Sequence, residues 1–109
     1  MSWDVMLVKT GTNTEPMEEI DETIRVPFDP AEVASALKQQ FPGLEEDAPD
    51  WLNYEGGTFA ITFNLAAPES IMLHVHILDE PEDAALDDIH KLCRLLGCRA
   101  FDTTAAEFI

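Results

Sequence analysis

Apolar and polar residues alternate most cleanly in the middle of the chain. In residues 58–65, TFAITFNL, Phe59, Ile61, Phe63 and Leu65 share one side and Thr58, Ala60, Thr62 and Asn64 the other, the two-residue period of a half-buried strand. Residues 71–78, IMLHVHIL, repeat the device, with Ile71, Leu73, Val75 and Ile77 inward and Met72, His74, His76 and Leu78 outward. The short AAPES connection makes the two a hairpin. At the start, WDVMLVK places Trp3, Val5 and Leu7 on one side of a strand and Asp4, Met6 and Val8 on the other.

Two stretches change to the helical period. In FDPAEVASALKQQFPG, Asp29 is an N-cap, Pro30 suits the first helical position and Glu32 has capping-box spacing. The helix is expected to end near Gln40, with Val33, Leu37 and Phe41 on one stripe and Ala34 beside them. In residues 79–97, acidic residues and Pro81 open a second helix, and Ala85, Ile89, Leu92, Cys93 and Leu96 form its apolar stripe. Gly97 stops it. CRAFDT then reads as a last strand with Phe101 inward and Ala100 and Asp102 outward, and the closing TAAEFI is expected to lie on the body through Phe108 and Ile109. TIRV, residues 23–26, reads as a short edge strand.

The order strand, helix, strand, strand, helix, strand predicts a single α+β domain over residues 1–109: a ferredoxin-like split βαββαβ sandwich, a four-stranded sheet with both helices on one face. Two connections interrupt it. Residues 10–22 join turn formers to five carboxylates and are expected to be exposed and mobile. Residues 42–57 are a second acidic loop, anchored by Trp51, Leu52 and Tyr54 and closed by a Gly56-Gly57 turn. That glycine pair has neither the lysine nor the helix of a phosphate loop.

Charge narrows the function. Six Lys and Arg against 22 Asp and Glu leave a net charge of −16, which opposes nucleic acid and anionic membranes and favours basic proteins or cations. MSWDVMLVK resembles neither a signal peptide nor a membrane span, so the cytoplasm is the expected location. Cys93 and Cys98 are expected to be reduced, small buried hydrophobes. Ser35 and Ser70 lack the surroundings of an activated nucleophile, and no enzyme is expected.

Two groups of residues remain as candidate sites. Glu15, Glu18, Glu19, Asp21 and Glu22 in one connection, and Glu45, Glu46, Asp47 and Asp50 in the other, form two negative strips that a basic protein would meet first, or two merely solvated loops. On the open sheet face, His74 and His76 stand two residues apart with Asp4 on the neighbouring strand, a two-histidine, one-carboxylate set suited to one divalent metal. The simpler expectation for the same residues is the polar side of a sheet bathed by water. Met6, Val8, Met72 and Leu78 add apolar surface there, which makes a homodimer through that face a third expectation.

The opening MSWDVML and the closing LGCRAFDTTAAEFI resemble those of small bacterial proteins that begin Met-Ser-Tyr/Trp-Asp and end in a helix followed by a strand carrying Phe-Asp. The resemblance covers the two ends only. It implies a bacterial cytoplasmic α+β domain, of the kind that neutralises a toxin as an immunity protein, and assigns no catalytic residue.

Overall fold

The computed structural model describes residues 2–21, 23–48, 50–67, 69–79 and 83–109. The strands predicted from alternation form as expected: β1 (Ser2–Val8), β4 (Phe59–Asn64) and β5 (Ser70–Ile77). Two further strands, β2 (Glu45–Ala48) and β3 (Trp51–Glu55), precede β4, and β6 (Arg99–Asp102) and β7 (Glu107–Phe108) close the chain. The helices are α1 (Pro30–Gln40) and α2 (Asp83–Leu96). All strands join one open sheet in the order β2-β3-β4-β5-β1-β6-β7, every neighbouring pair antiparallel. The chain is α+β, with two helices and, among the described residues, seven strands in place of the four expected.

One face of the sheet and both helices share a single core. Val5 and Leu7 of β1, Ile61 and Phe63 of β4, and Leu73 and Val75 of β5 are at most 1% exposed, as are Leu37 of α1 and Ile89 and Leu92 of α2. The stripe expected for α2, Ala85, Ile89, Leu92, Cys93 and Leu96, is the set that is buried. Its first-turn prediction at Pro81 lies outside the described residues. In α1, Asp29 caps by accepting from the Ala31 N–H at 2.9 Å, but Glu32 closes no capping box among the described residues. Ala36 is buried there while Ala34 stays half-exposed, because the stripe through Val33 and Leu37 extends toward 36 and leaves 34 on the flank.

Further expectations are corrected. Residues 45–55 form a hairpin, β2 and β3, with a bulge between Glu46 and Ala48. Consecutive carboxylates have low strand propensity, and pairing with β3 overrides it. The parity of the last strand is reversed: Ala100 lies opposite Leu7 and is 2% exposed, whereas Phe101 lies opposite Met6 on the open face. Phe101 is half-covered by the tail, where Phe108 meets it edge-on at 5.1 Å and the Arg99 guanidinium sits 3.5 Å above the Phe108 ring. The tail therefore reaches the body as a strand, and Ile109 donates its N–H to the Ala100 carbonyl at 2.9 Å.

Residues 10–21 are largely exposed, but they fold back onto the molecule at both ends. Thr10 and Ile20 are 3% and 6% exposed, a 3-10 turn runs over Met17–Glu19, and Arg99 donates to the Glu15 carbonyl at 2.6 Å. Val8, which has open-face parity, is buried outside the main core. In place of an edge strand over residues 23–26 there is one bridge, Thr10 to Arg25.

Candidate functional site

Antiparallel register aligns one polar row across the open face: Asn53 of β3, Thr62 of β4, His74 of β5 and Asp4 of β1. The Thr62 hydroxyl donates to Asn53 Oδ1 at 2.8 Å, and Asn53 Nδ2 donates to the Asp47 carboxylate. Asp4 Oδ1 lies 2.8 Å from His74 Nδ1, and since a carboxylate can only accept, Nδ1 carries the hydrogen. Trp51 stacks on the imidazole with ring centroids 6.2 Å apart and planes 13° apart. His76 is exposed on the next row, opposite Ser2 and Ala60.

The row brings His74 and Asp4 together and leaves the other open-face candidates elsewhere. Asn64 turns its Oδ1 to the Ala66 N–H. Asp102 faces the core side, opposite Val5, where desolvation opposes its ionisation; hydrogen bonds from the Ala105 N–H, Trp3 and the Thr104 N–H outweigh that and hold it below the ordinary carboxylate range. Among the described residues no three His, Cys, Asp or Glu side chains converge as a metal site.

The two acidic strips lie far apart. Residues 13–15 sit beside β6, where Asn13 donates to the Gly97 carbonyl and Arg99 to that of Glu15. Glu45, Glu46 and Asp47 form the outer strand β2, five strands from β6, about 24 Å away at ~4.8 Å per strand. Their chemistry differs as well. Glu15 accepts from the Thr10 hydroxyl at 2.7 Å, the Thr12 hydroxyl at 2.8 Å and the Thr14 N–H at 3.2 Å. These bonds, that from Thr10 first, hold its carboxyl at about 2. Asp21 is held low by the Thr23 hydroxyl and N–H. Both carboxylates staple their own loop. Glu18 and Glu19 are exposed, and Glu22 lies outside the described residues. On β2, Glu45, Glu46 and Asp47 are all exposed, and Asp50 follows them.

No carboxylate among the described residues lies within ion-pair distance of a lysine or arginine; the one ion pair is His74 with Asp4. The negative charge is therefore met by solvent and by hydrogen bonds within the chain, such as those to Glu15, Asp21 and Asp47.

The geometry adds a site that alternation did not reveal. Seven strands span about 29 Å across the sheet, and two helices side by side cover about 20 Å. The inner face of the β2–β3 hairpin consequently overhangs α1, leaving a cleft of about 440 Å³. Val33 and Ala34 of α1, Leu44, Leu52 and Leu65 form its apolar walls, with Glu46 and Asp50 on the hairpin side of the mouth and Lys38 on the helix side. The sequence carried a signal for it: Pro30, Ala34 and Lys38 recur every four residues beside the core stripe, and Leu52 continues the inward side of β3. A second cavity, polar and about 550 Å³, lies at the outer corner around Glu45, Asp47, Asn53 and Glu55.

No helix among the described residues is long and apolar enough to cross a membrane. Comparison of the chain with protein-family models, with curated proteins and with solved structures finds no match.

Proposed function

We propose that this chain is a non-enzymatic binding protein that docks, and by docking neutralises, a basic protein, with the acidic β2 edge as its contact surface. The observation that carries the reading is the absence, among the described residues, of any lysine or arginine pairing with the carboxylates of a chain whose net charge is −16. Three consecutive exposed carboxylates on an outer strand offer a concentrated field to a cationic surface, and such complementarity accelerates encounter and selects partners. The strip around residues 15–22 contributes less, since Glu15 and Asp21 are already engaged by threonines. We read the β4-β5-β1-β6 part of the sheet as a ferredoxin-like unit, with the β2–β3 hairpin inserted before β4 and β7 added at the far side; the strand order supports this.

The test is affinity capture from a bacterial extract, eluted with rising salt. Basic proteins are expected to elute from the wild-type protein and to be missing from a Glu45→Gln/Glu46→Gln/Asp47→Asn variant. Elution that ignores salt, or capture undiminished in the variant, overturns the reading.

A second reading has His74 and Asp4, which touch, hold one divalent metal together with His76, which would have to turn toward them because no three such side chains converge among the described residues. Metal analysis of the purified protein tests it: stoichiometric metal that disappears in His74→Ala/His76→Ala supports it, and metal-free wild-type protein dismisses it.

A further inference from the structure

The apolar cleft between α1 and the overhanging hairpin borders the acidic edge, and the two surfaces together specify more than charge. Leu44, Leu52 and Leu65 stay half-buried because the helical layer ends at α1. A residue of α1 that faced solvent alone would not require Ala34, whose small side chain leaves the wall open. About 440 Å³ lies within the range of sites that hold a compact ligand or a few large side chains. The lining is polarised: Glu46, opposite Leu52 on β3, and Asp50 stand on the hairpin side and Lys38 alone on the helix side, while Glu45 and Asp47 of the same strand lie across the sheet edge toward Asn53. A purely apolar occupant would leave those carboxylates unanswered, and an acidic one would be repelled by them.

We infer that the cleft binds a segment of the basic partner that carries large aliphatic side chains flanked by arginine or lysine. The aliphatic groups enter between Ala34 and Leu52, and the cationic flank points toward Glu46 and Asp50, away from Lys38. The inference rests on the docking reading above and assigns its anchor: charge brings the partner to the β2 edge, and burial in the cleft holds it.

Amide chemical shifts of the labelled full chain, titrated with three synthetic peptides, test this. The peptides are Arg-Lys-Leu-Leu-Arg-Lys, its serine counterpart Arg-Lys-Ser-Ser-Arg-Lys and the acidic Glu-Glu-Leu-Leu-Glu-Glu, each blocked at both ends. The basic leucine peptide is expected to shift Val33, Ala34, Leu52 and Leu65 in a saturable way and to bind at least about tenfold more tightly than the serine peptide, as burial of leucine side chains implies. Ala34→Trp fills the cleft and is expected to abolish those shifts. Ala66→Trp, in an exposed loop of the same cleft, serves should the helix substitution disturb folding. Equal binding of both basic peptides, with shifts confined to the β2 edge, overturns the cleft assignment and leaves the docking reading intact. Equal binding of the acidic leucine peptide overturns the charge selection. Failure of every basic peptide to bind overturns the cleft, and the docking reading falls only if the capture experiment fails as well.

Discussion

Glu15 has the composition of a binding residue and the contacts of a structural one. Its carboxylate gathers the Thr10 and Thr12 hydroxyls and the Thr14 N–H, while its carbonyl receives Arg99, so one residue ties residues 10–15 to β6. The folded-state value of about 2 lies below that of an unfolded glutamate, about 4.3. A depressed carboxyl contributes stability that is present above the unfolded value and is lost as pH falls through the folded one. Thermal melts at stepped pH are therefore expected to show Glu15→Gln below wild type at pH 6, with the gap closing between about pH 4.5 and about pH 2. A constant gap would mean that the charge plays no part. Cys93 and Cys98, at the end of α2, form a comparable private pair. The Cys98 N–H donates to the Cys93 carbonyl at 3.0 Å, and both side chains are 9% exposed. The hydrogen bond between the thiols, and then burial, raise Cys98, while the same bond lowers Cys93. Iodoacetamide is expected to label neither thiol appreciably in the native protein and both in denaturant; rapid native labelling would contradict their burial. The burial of these cysteines was legible from the helical stripe. The private use of Glu15 was not, since a string of threonines and carboxylates spells a solvated loop until its partners are known.

At the scale of elements, legibility follows how strongly local pattern and burial agree. β4 and β5 alternate fully and α2 repeats fully, so each was legible before folding. α1 was legible from its cap and proline, and Asp29→Ala is expected to cost about 1 kcal/mol in denaturant unfolding, the Ala31 N–H having lost its acceptor. The β2–β3 hairpin was not legible. Glu45 and Glu46 are poor strand formers held in place by the ladder to Asn53 and Leu52, with Asp47 in the bulge that follows. The turn after it was: Gly57 has φ +90°, which a side chain strains, and Gly57→Ala is expected to destabilise the protein by about 1 kcal/mol, measured in the same way. β6 shows why a four-residue strand misleads. With Ala100 and Phe101 adjacent, hydrophobicity alone sends the larger residue inward, yet beneath α2 the sheet accommodates the smaller one opposite Leu7.

At the scale of the whole molecule, uncompensated charge is the dominant property. With a net charge of −16 and no Lys or Arg ion pair among the described residues, the folded state concentrates repulsion that the unfolded chain dilutes. Screening shortens from about 30 Å at 0.01 M salt to about 8 Å at 0.15 M. The melting temperature is therefore expected to rise over that range of sodium chloride, a protein with balanced ion pairs showing the opposite trend or none. Glu45→Gln/Glu46→Gln/Asp47→Asn is expected to raise it at low salt, because removing charges from the crowded edge relieves the same repulsion. A melting temperature indifferent to salt would remove the electrostatic basis of the docking reading.

The sequence by itself determined the four best-patterned strands and helices, the apolar face of each, the acidity, and the side of the sheet from which His74 and His76 emerge, because periodicity and net charge are properties of short windows and sums. Only the tertiary structure decided the seven-stranded width, the parity of β6, the separation of the two acidic strips and the cleft beside α1. Those depend on register between distant strands and on two helices being too narrow to cover the sheet, and neither quantity is carried by any one stretch of chain.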